Sequence, residues 1–301
     1  MTAPPRILVI GDVMNDVIVR PEGPQARGSD RRASIMVQPG GSAANQAAWL
    51  ASFGVTVDFV ARVGAADVES ETARFTAIGV APYLVGDPHR ETGRLVALID
   101  ADGERSFLTD RGANEALEAR DIPDTLIEGA ALIHLSGYSF FAPSPRAAVL
   151  DVMRRAGDKS ISVDPASAEF LREHGAEKFL AWTQGAAILF PNEEEAAILA
   201  GSDDPETQCG RLAVHYPLVV IKRGAAGCEA AAGEKRWRCN APKIEAIDTT
   251  GAGDAFVAAF LSHRLSGADI QPALERAVAA GAAASAIVGG QPRRSSVQRD
   301  R

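Results

Sequence analysis

Short apolar runs recur along the chain and alternate with longer segments of helical periodicity. Several runs are apolar throughout, which is typical of parallel strands covered on both faces. The runs predict strands at residues 7–10, 58–63, 131–135, 160–163, 187–189 and 217–221. Periodicity and terminal signals predict helices at residues 42–53, 67–78, 144–155, 255–264 and 272–288. This alternation predicts an α/β fold in which helices flank a doubly wound, mostly parallel central sheet.

Two segments interrupt this alternation, at about residues 12–38 and 92–111. Both alternate apolar and polar residues and contain turn signals, such as DADG at residues 100–103, so they predict a small antiparallel sheet inserted into the α/β body. Ligands of open α/β folds bind at the carboxyl ends of the strands, where such a sheet could act as a lid that excludes water. We expect residues 1–301 to form a single domain, with residues 291–301 as a frayed, basic tail.

Composition narrows the possible functions. The 301 residues carry a formal net charge of −8, which argues against nucleic acid as a partner. No apolar run approaches the length of a membrane span, and the first apolar run is better explained as a strand than as a signal peptide. The three cysteines lack CxxC spacing and the five histidines lack paired spacing, so we expect free thiols, a cytoplasmic location and no His or Cys metal site.

Residues 248–256, DTTGAGDAF, are the most informative stretch. Gly251, Ala252 and Gly253 allow close backbone approach, and the helix that follows offers unpaired N–H groups and a dipole that favour an anion. Asp254 places a carboxylate at the same point, and we expect the dipole to keep it ionised. An anion hole beside a potential base suits phosphoryl transfer to a hydroxyl. The alternative is a tight loop in which Asp254 only favours the helix start.

A second motif, GGSAANQA, occupies residues 40–47. Gly40 and Gly41 precede a predicted helix and would let a ligand approach the backbone. Asn45, one turn into that helix, offers donors and an acceptor, which suits a polyol. The alternative is a helix entry whose small residues serve packing.

Together, these two motifs resemble those of the ribokinase-like (PfkB) family of carbohydrate kinases. GDVMND at residues 11–16 and PNEEE at residues 191–195 also match that family in position, so the resemblance covers roughly residues 6–290. The chain has neither the GxxxxGK[ST] loop nor the HRD and DFG motifs of other kinases.

The resemblance implies a role for each matching residue. Asp254 would be the base, and Gly251, Ala252 and Gly253 would hold the transferring phosphoryl group. The implied sugar contacts are Asp16, Gly40, Gly41 and Asn45; the implied ATP contacts are Asn192, Lys222, Gly224 and Gly227. Glu195 would hold Mg²⁺, partly through water. Asp248 and Thr250 resemble positions that bind a monovalent cation such as K⁺ in several members.

The acceptor is less well defined. Arg31, Arg32, Arg105 and Arg111 lie in or beside the predicted lid, and two of them facing the site would favour a sugar acid. Gly112-Ala113-Asn114 resembles sugar-specific members, and Tyr138 could stack on a ring or fill the core. We therefore expect an ATP-dependent kinase of a small sugar or sugar acid, active as a homodimer through the lid. The alternatives are a nucleoside kinase and a non-catalytic binder of sugar or nucleotide; the absence of GxGxxG after the first strand disfavours a dehydrogenase.

Overall fold

Strands and helices alternate along most of the chain in the computed structural model, which describes residues 5–24, 28–99 and 105–293, without the side chain of Arg105. The strands are β1 (Arg6–Gly11), β2 (Met14–Pro21), β3 (Ala33–Gly40), β4 (Thr56–Gly64), β5 (Val80–Asp87), β6 (Gly93–Ile99), β7 (Arg105–Asp110), β8 (Leu132–Ser136), β9 (Ser160–Asp164), β10 (Ile188–Leu189), β11 (Leu218–Lys222), β12 (Cys228–Ala232) and β13 (Lys235–Cys239). The helices are α1 (Ser42–Ser52), α2 (Val68–Ala77), α3 (Asp124–Gly129), α4 (Pro143–Arg155), α5 (Ala168–His174), α6 (Ala176–Trp182), α7 (Glu193–Ala200), α8 (Pro205–Leu212), α9 (Ala252–Leu265) and α10 (Ile270–Ser285).

Nine of the described strands form the central sheet, in the order β13-β12-β11-β10-β9-β8-β1-β4-β5. All neighbours from β11 to β5 are parallel, and the β11–β12 and β12–β13 pairs are antiparallel. Successive side chains of β1 point to opposite faces of the sheet, and each face is covered by a buried apolar cluster. Ile7 and Val9 belong to one cluster, and Leu8 and Ile10 belong to the other. Helices α1, α9 and α10 contribute to the first cluster, and α4, α7 and α8 to the second. The predicted doubly wound sheet is confirmed.

All six predicted strands and all five predicted helices are present, with ends that differ by a few residues. The prediction missed β5, β12, β13 and the helices α3 and α5 to α8. Strand β5 contains Pro82, and β13 reads KRWRC, so neither forms the apolar run on which the prediction relied. Strand β13 lies at the sheet edge, where charged residues are common.

The interrupting segments form a four-stranded sheet in the order β3-β2-β6-β7, named the lid sheet here. Its outer pairs are antiparallel, as predicted, but the central strands β2 and β6 run parallel. Ile18, Met36 and Phe107 on one face line the main cleft. Ile35 and Val37, which point to the other face, are 64% and 65% exposed. The predicted turn at residues 100–103 and most of the tail, residues 294–301, lie outside the described residues.

One large cleft, about 1160 Å³, lies between the lid sheet and the carboxyl edge of the central sheet. Strand β1 leads into β2 after only two residues, and β3 leads directly into α1. The chain order reverses between β8 and β1, and such a switch point leaves a crevice at the strand ends. The cleft is therefore bordered by the carboxyl ends of β9 and β11 and by the N-termini of α1 and α9.

Within the described part of the chain, none of the helices combines the length and the apolar character needed to span a bilayer.

Candidate active site

The N-terminus of α9 opens into the cleft. Gly251 caps the helix in a left-handed conformation with φ 74°, which glycine adopts without steric cost. The N–H of Ala252 donates to the Thr249 carbonyl at 3.2 Å. This N–H group, which we predicted to bind the phosphoryl group, therefore already has an acceptor. Among the described residues, the N–H groups of Gly251, Gly253 and Asp254 meet no acceptor. The helix start therefore presents unpaired N–H groups in which that of Asp254 replaces that of Ala252 in the expected set.

Asp254 is held by two side chains of α1. Ser42 Oγ donates to Asp254 Oδ1 at 2.7 Å, and Asn45 Nδ2 donates to Oδ2 at 2.9 Å. Burial raises the pKa of Asp254 to about 7, although both hydrogen bonds and the charge of Lys222 oppose the shift. We expected the helix dipole to keep this carboxylate fully ionised; desolvation outweighs it. A carboxyl group with a pKa near 7 is well suited to accept a proton.

Asp16 presents a carboxylate to the same cleft. Its Oδ1 is buried and has no hydrogen-bond partner among the described residues. Burial, followed by the charge of Asp12, raises the pKa of Asp16 to about 6, and Arg111 opposes the shift. Gly40 lies so close that a Cβ there would overlap the Asp16 carboxylate. Asn45 Oδ1 is a second buried acceptor without a partner, so the cleft offers two oxygens that a polyol could satisfy.

Asp12, which we did not single out, organises the start of α1. It is 2% exposed and accepts hydrogen bonds from the backbone N–H groups of Ser42, at 3.1 Å, and Ala43, at 3.3 Å. Ser136 Oγ also donates to it, at 3.0 Å. Gly41 has φ 95°, and a Cβ at this position would lie 2.6 Å from the Asp12 carbonyl oxygen. The Gly11-Asp12 pair at the end of β1 was the sequence signal for this role.

Of the four arginines considered above, Arg111 is the one whose described side chain lines the site; Arg20 of β2, which was not predicted, also lines the cleft. The Arg111 guanidinium lies 4.1 Å from the centre of the Tyr138 ring and 3.4 Å from Asp12 Oδ2. Tyr138 lines the cleft, and its ring packs on this cation, on Phe170 and against the second buried cluster. Arg31 and Arg32 are exposed, and Arg31 donates to loop carbonyls. The side chain of Arg105 lies outside the described residues.

Lys222 supplies a positive charge beside the anion site. Its Nζ contacts Asp164 Oδ2 at 2.7 Å and would lie 3.6 Å from a Cβ on Gly253. Burial lowers the pKa of Lys222, but Asp164 and Glu195 outweigh it and the net pKa is raised. Arg223, by contrast, pairs with Glu229 at 2.9 Å and with Glu193 at 3.4 Å.

Asn192 and Glu195 form a reciprocal cap at the start of α7. Asn192 N–H donates to Glu195 Oε2, and Glu195 N–H donates to Asn192 Oδ1, both at 2.8 Å. Both residues line the cleft, and burial raises the pKa of Glu195 to about 7. The described residues contain no group of three or more His, Cys, Asp or Glu side chains suited to a metal. A single carboxylate fits Mg²⁺, because this ion keeps several waters and binds through substrate phosphates.

The remaining predicted residues also line the cleft. Gly224 and Gly227 line it, and its lining also includes the apolar residues Ala241, Ile244 and Val288. Asp248 Oδ1 accepts from Thr250 N–H and Oδ2 from Gly289 N–H, both at 3.0 Å. This carboxylate therefore ties the loop before α9 to the segment after α10.

Similarity to known proteins agrees with this arrangement. A model described as pfkB family carbohydrate kinase matches residues 4–294. The chain is 32% identical to an ATP-dependent ribose-1-phosphate kinase of Halopiger xanaduensis, over 92% of this chain and 90% of that protein. It is 30% identical to ribokinase of Bacillus subtilis, over 97% of this chain and 98% of that protein.

Solved structures extend the comparison to the fold. Ribokinase of Arabidopsis thaliana, complexed with ribose and ATP, has a TM-score of 0.79 and 25% identity, covering 96% of this chain and 94% of that one. Adenosine kinase of Sinorhizobium meliloti has a TM-score of 0.86 at 24% identity, covering 96% of both chains. The expected ribokinase-like fold is confirmed.

Proposed function

Because this chain belongs to the pfkB family of carbohydrate kinases, which transfer phosphate to an alcohol group, we propose that it phosphorylates a hydroxyl of a small sugar with ATP. The observation that carries this proposal is the Asp254 carboxylate beside the unpaired N–H groups of Gly253 and its own backbone. The proposed base, Asp254, and the proposed anion site are thus adjacent at the N-terminus of α9.

In this mechanism Asp254 accepts the proton of the acceptor hydroxyl as its oxygen attacks the terminal phosphorus of ATP. The N–H groups at the start of α9 and the Lys222 ammonium stabilise the charge on the transferring phosphoryl group. Such a transition state is loose, so positioning and charge neutralisation contribute most of the catalysis. Mg²⁺, held by Glu195 through water, would neutralise phosphate charge. Apolar residues beside Gly224 and Gly227 would hold the adenine.

The test uses Asp254→Asn, which keeps the size of the side chain and removes the base. We expect loss of at least a thousandfold in sugar-dependent ADP release, while ATP still binds by calorimetry. Replacement of the exposed Asp203 by Asn, on the loop before α8, is the matched control and should leave turnover unchanged. Turnover by Asp254→Asn within tenfold of the unaltered protein would refute the role of Asp254.

For the acceptor we favour a neutral pentose or hexose, bound by Asp16, Gly40, Gly41 and Asn45. The two unpartnered oxygens of Asp16 and Asn45 support a polyol. A sugar acid has less support, since Arg111 is already paired with Asp12. A panel of ribose, ribose 1-phosphate, fructose and 2-keto-3-deoxygluconate would rank the acceptors by kcat/KM.

A nucleoside is the second candidate, favoured by one observation. A chamber of about 300 Å³ adjoins the cleft behind Arg111 and Tyr138, with Phe141 and Phe170 in its wall. Aromatic rings suit a planar base. Adenosine and inosine should therefore join the panel, and a kcat/KM above that of every free sugar would select this candidate.

We include three further features in the proposal. Asp248 and Thr250 would help to bind K⁺, so replacement of K⁺ by tetramethylammonium should lower turnover. The lid sheet would join two copies through its exposed apolar face. The location would be cytoplasmic, which cell fractionation tests.

A further inference from the structure

A row of buried polar side chains runs from the interior of the central sheet to the cleft. Ser162 Oγ lies 2.8 Å from His134 Nδ1, and His134 Nε2 lies 2.8 Å from Gln46 Oε1. Gln46 Nε2 donates to Asp164 Oδ2 at 3.2 Å, and the same oxygen accepts from Lys222 Nζ at 2.7 Å. Ser162, His134 and Gln46 are each fully buried.

The charged pair of Asp164 and Lys222 at one end of this row determines the direction of every hydrogen bond in it. The Asp164 carboxylate, which is paired with Lys222, only accepts, so Gln46 must present its NH₂ group to Asp164 and its carbonyl to His134. His134 must then carry its proton on Nε2, and its Nδ1 accepts from the Ser162 hydroxyl. Burial, with a contribution from the charge of Lys222, lowers the pKa of His134 to about 3, in agreement with this neutral form.

Helix α1 links this row to the base. Ser42 and Asn45 hold Asp254, and Gln46, which lies four residues after Ser42 on the same helix face, holds Asp164. Adjacent turns of helix α1 therefore position both Asp164, which pairs with Lys222, and Asp254, the proposed base. A rotation of the Gln46 amide by 180° would place its carbonyl against the Asp164 carboxylate, and neutral His134 with Nε2–H prevents this rotation.

We propose that Gln46 is a positioning residue that keeps Asp164, and through it the Lys222 ammonium, beside the phosphoryl group, with His134 fixing the orientation of the Gln46 amide. This inference rests on the proposed kinase function. Gln46 does not line the cleft; it acts on the reaction only through Asp164 and Lys222. Its effect should appear in kcat, because Lys222 interacts with charge that develops during transfer.

The decisive experiment is a double-mutant cycle between Gln46→Leu and Lys222→Met. We expect Gln46→Leu alone to lower kcat roughly tenfold to hundredfold, with KM for ATP and for the sugar changed less than about threefold. In the Lys222→Met background the same substitution should lower kcat less than about twofold, because the group that it positions is gone. An equal loss of kcat in both backgrounds, or no loss in either, would overturn the proposal.

Gln208→Leu is the matched control, since Gln208 is a glutamine in α8 with 1% exposure that donates to the Ser202 carbonyl and accepts from Arg223. It should lower the melting temperature and leave kcat unchanged. A loss of kcat in Gln208→Leu as large as that in Gln46→Leu would indicate a general packing effect and count against the proposal.

A second measurement does not depend on activity or on any variant. Long-range ¹H–¹⁵N NMR of the unaltered protein should show His134 as the neutral Nε2–H tautomer from pH 5 to pH 8. An Nδ1–H tautomer, or titration near pH 6.5, would overturn the proposal even if Gln46→Leu failed to fold. If the unaltered protein released no ADP with any acceptor, the proposed function would fail instead, and the NMR result would still decide the orientation of the row.

Discussion

Asn45 on α1 donates to Asp254 Oδ2 on α9 across 2.9 Å, although the two residues are 209 positions apart in the chain. The amide oxygen of Asn45, Oδ1, is buried and unpartnered among the described residues, and it faces the site where Asp16 has a similar oxygen. The Asn45 amide thus contacts Asp254, the proposed base, through its nitrogen, and its oxygen is available to the acceptor. A sugar that satisfies Asn45 would place its hydroxyl beside Asp254, which couples binding to proton transfer.

The first prediction concerns the pH dependence of kcat/KM for the acceptor. Because the pKa of Asp254 is about 7 and only its ionised form accepts a proton, kcat/KM should rise with pH and be half-maximal near pH 7. At pH 5 it should be about a hundredfold below the plateau. Initial rates from pH 5 to pH 9 measure this, and a flat profile down to pH 5 would contradict it.

Asp16 and Glu195 titrate in the same cleft, so the assignment of this profile to Asp254 needs its own variant. The Asn45 hydrogen bond lowers the pKa of Asp254, and Asn45→Ala removes it. The midpoint of the kcat/KM profile of this variant should therefore move to higher pH. An unchanged midpoint would assign the titration to another group.

The second prediction concerns the stability of Asp254→Asn. The folded-state pKa of Asp254 lies above its ordinary value, so ionisation destabilises the fold, and the free energy of unfolding falls as pH rises from about 4 to about 7. At pH 8 the inactive variant should be more stable than the unaltered protein, by up to about 4 kcal/mol. The difference should vanish below about pH 4. Urea unfolding at both pH values measures it, and a less stable variant at pH 8 would contradict the burial argument.

The third prediction concerns Gly40→Ala. A Cβ at this position would overlap the Asp16 carboxylate, so that side chain must move out of the acceptor site. We expect KM for the sugar to rise at least about tenfold, with KM for ATP unchanged. Gly210→Ala, in α8 with no atom within 4 Å of the added Cβ, is the control. An unchanged KM for the sugar in Gly40→Ala would remove Asp16 from the acceptor site.

The fourth prediction separates stability from catalysis at Lys222. The side chain of Asp164 is 4% exposed, so Lys222→Met should leave a buried charge unpaired and destabilise the fold by about 3 kcal/mol. Adding Asp164→Asn should restore much of that stability, since the charge is gone, while kcat stays low. Thermal unfolding and kcat of the unaltered protein and of these two variants test this, and recovery of kcat in the double variant would show that Lys222 is not needed for transfer.

The fifth prediction concerns the exposed face of the lid sheet. Ile35, Val37 and Leu108 are 64%, 65% and 63% exposed, and exposed apolar residues on a sheet often mark an interface. Light scattering should give a dimer, and Val37→Lys should shift it towards the monomer. Val214→Lys, at a residue that is 82% exposed after α8, is the control. A monomer at all concentrations would remove the proposed dimer.

The sequence alone determined the features that depend on local pattern. Apolar runs such as that of β1 specify strands buried on both faces, and small residues before the apolar helix α9 predict a helix start that the backbone can bring close to a ligand. Both features depend on the local backbone, which residues adjacent in the sequence determine. The same local pattern could not show that the Ala252 N–H is taken by Thr249, because turn geometry decides this.

The tertiary structure decided which distant side chains meet. Ser42 and Asp12, and the row from Ser162 to Lys222, acquire their roles only when β1, β8 and β9 bring their ends together beside α1. The sequence also did not reveal the raised pKa of Asp254. From the helix dipole alone, we predicted an ionised carboxylate. Desolvation depends on everything packed around a group, and only the folded chain determines it.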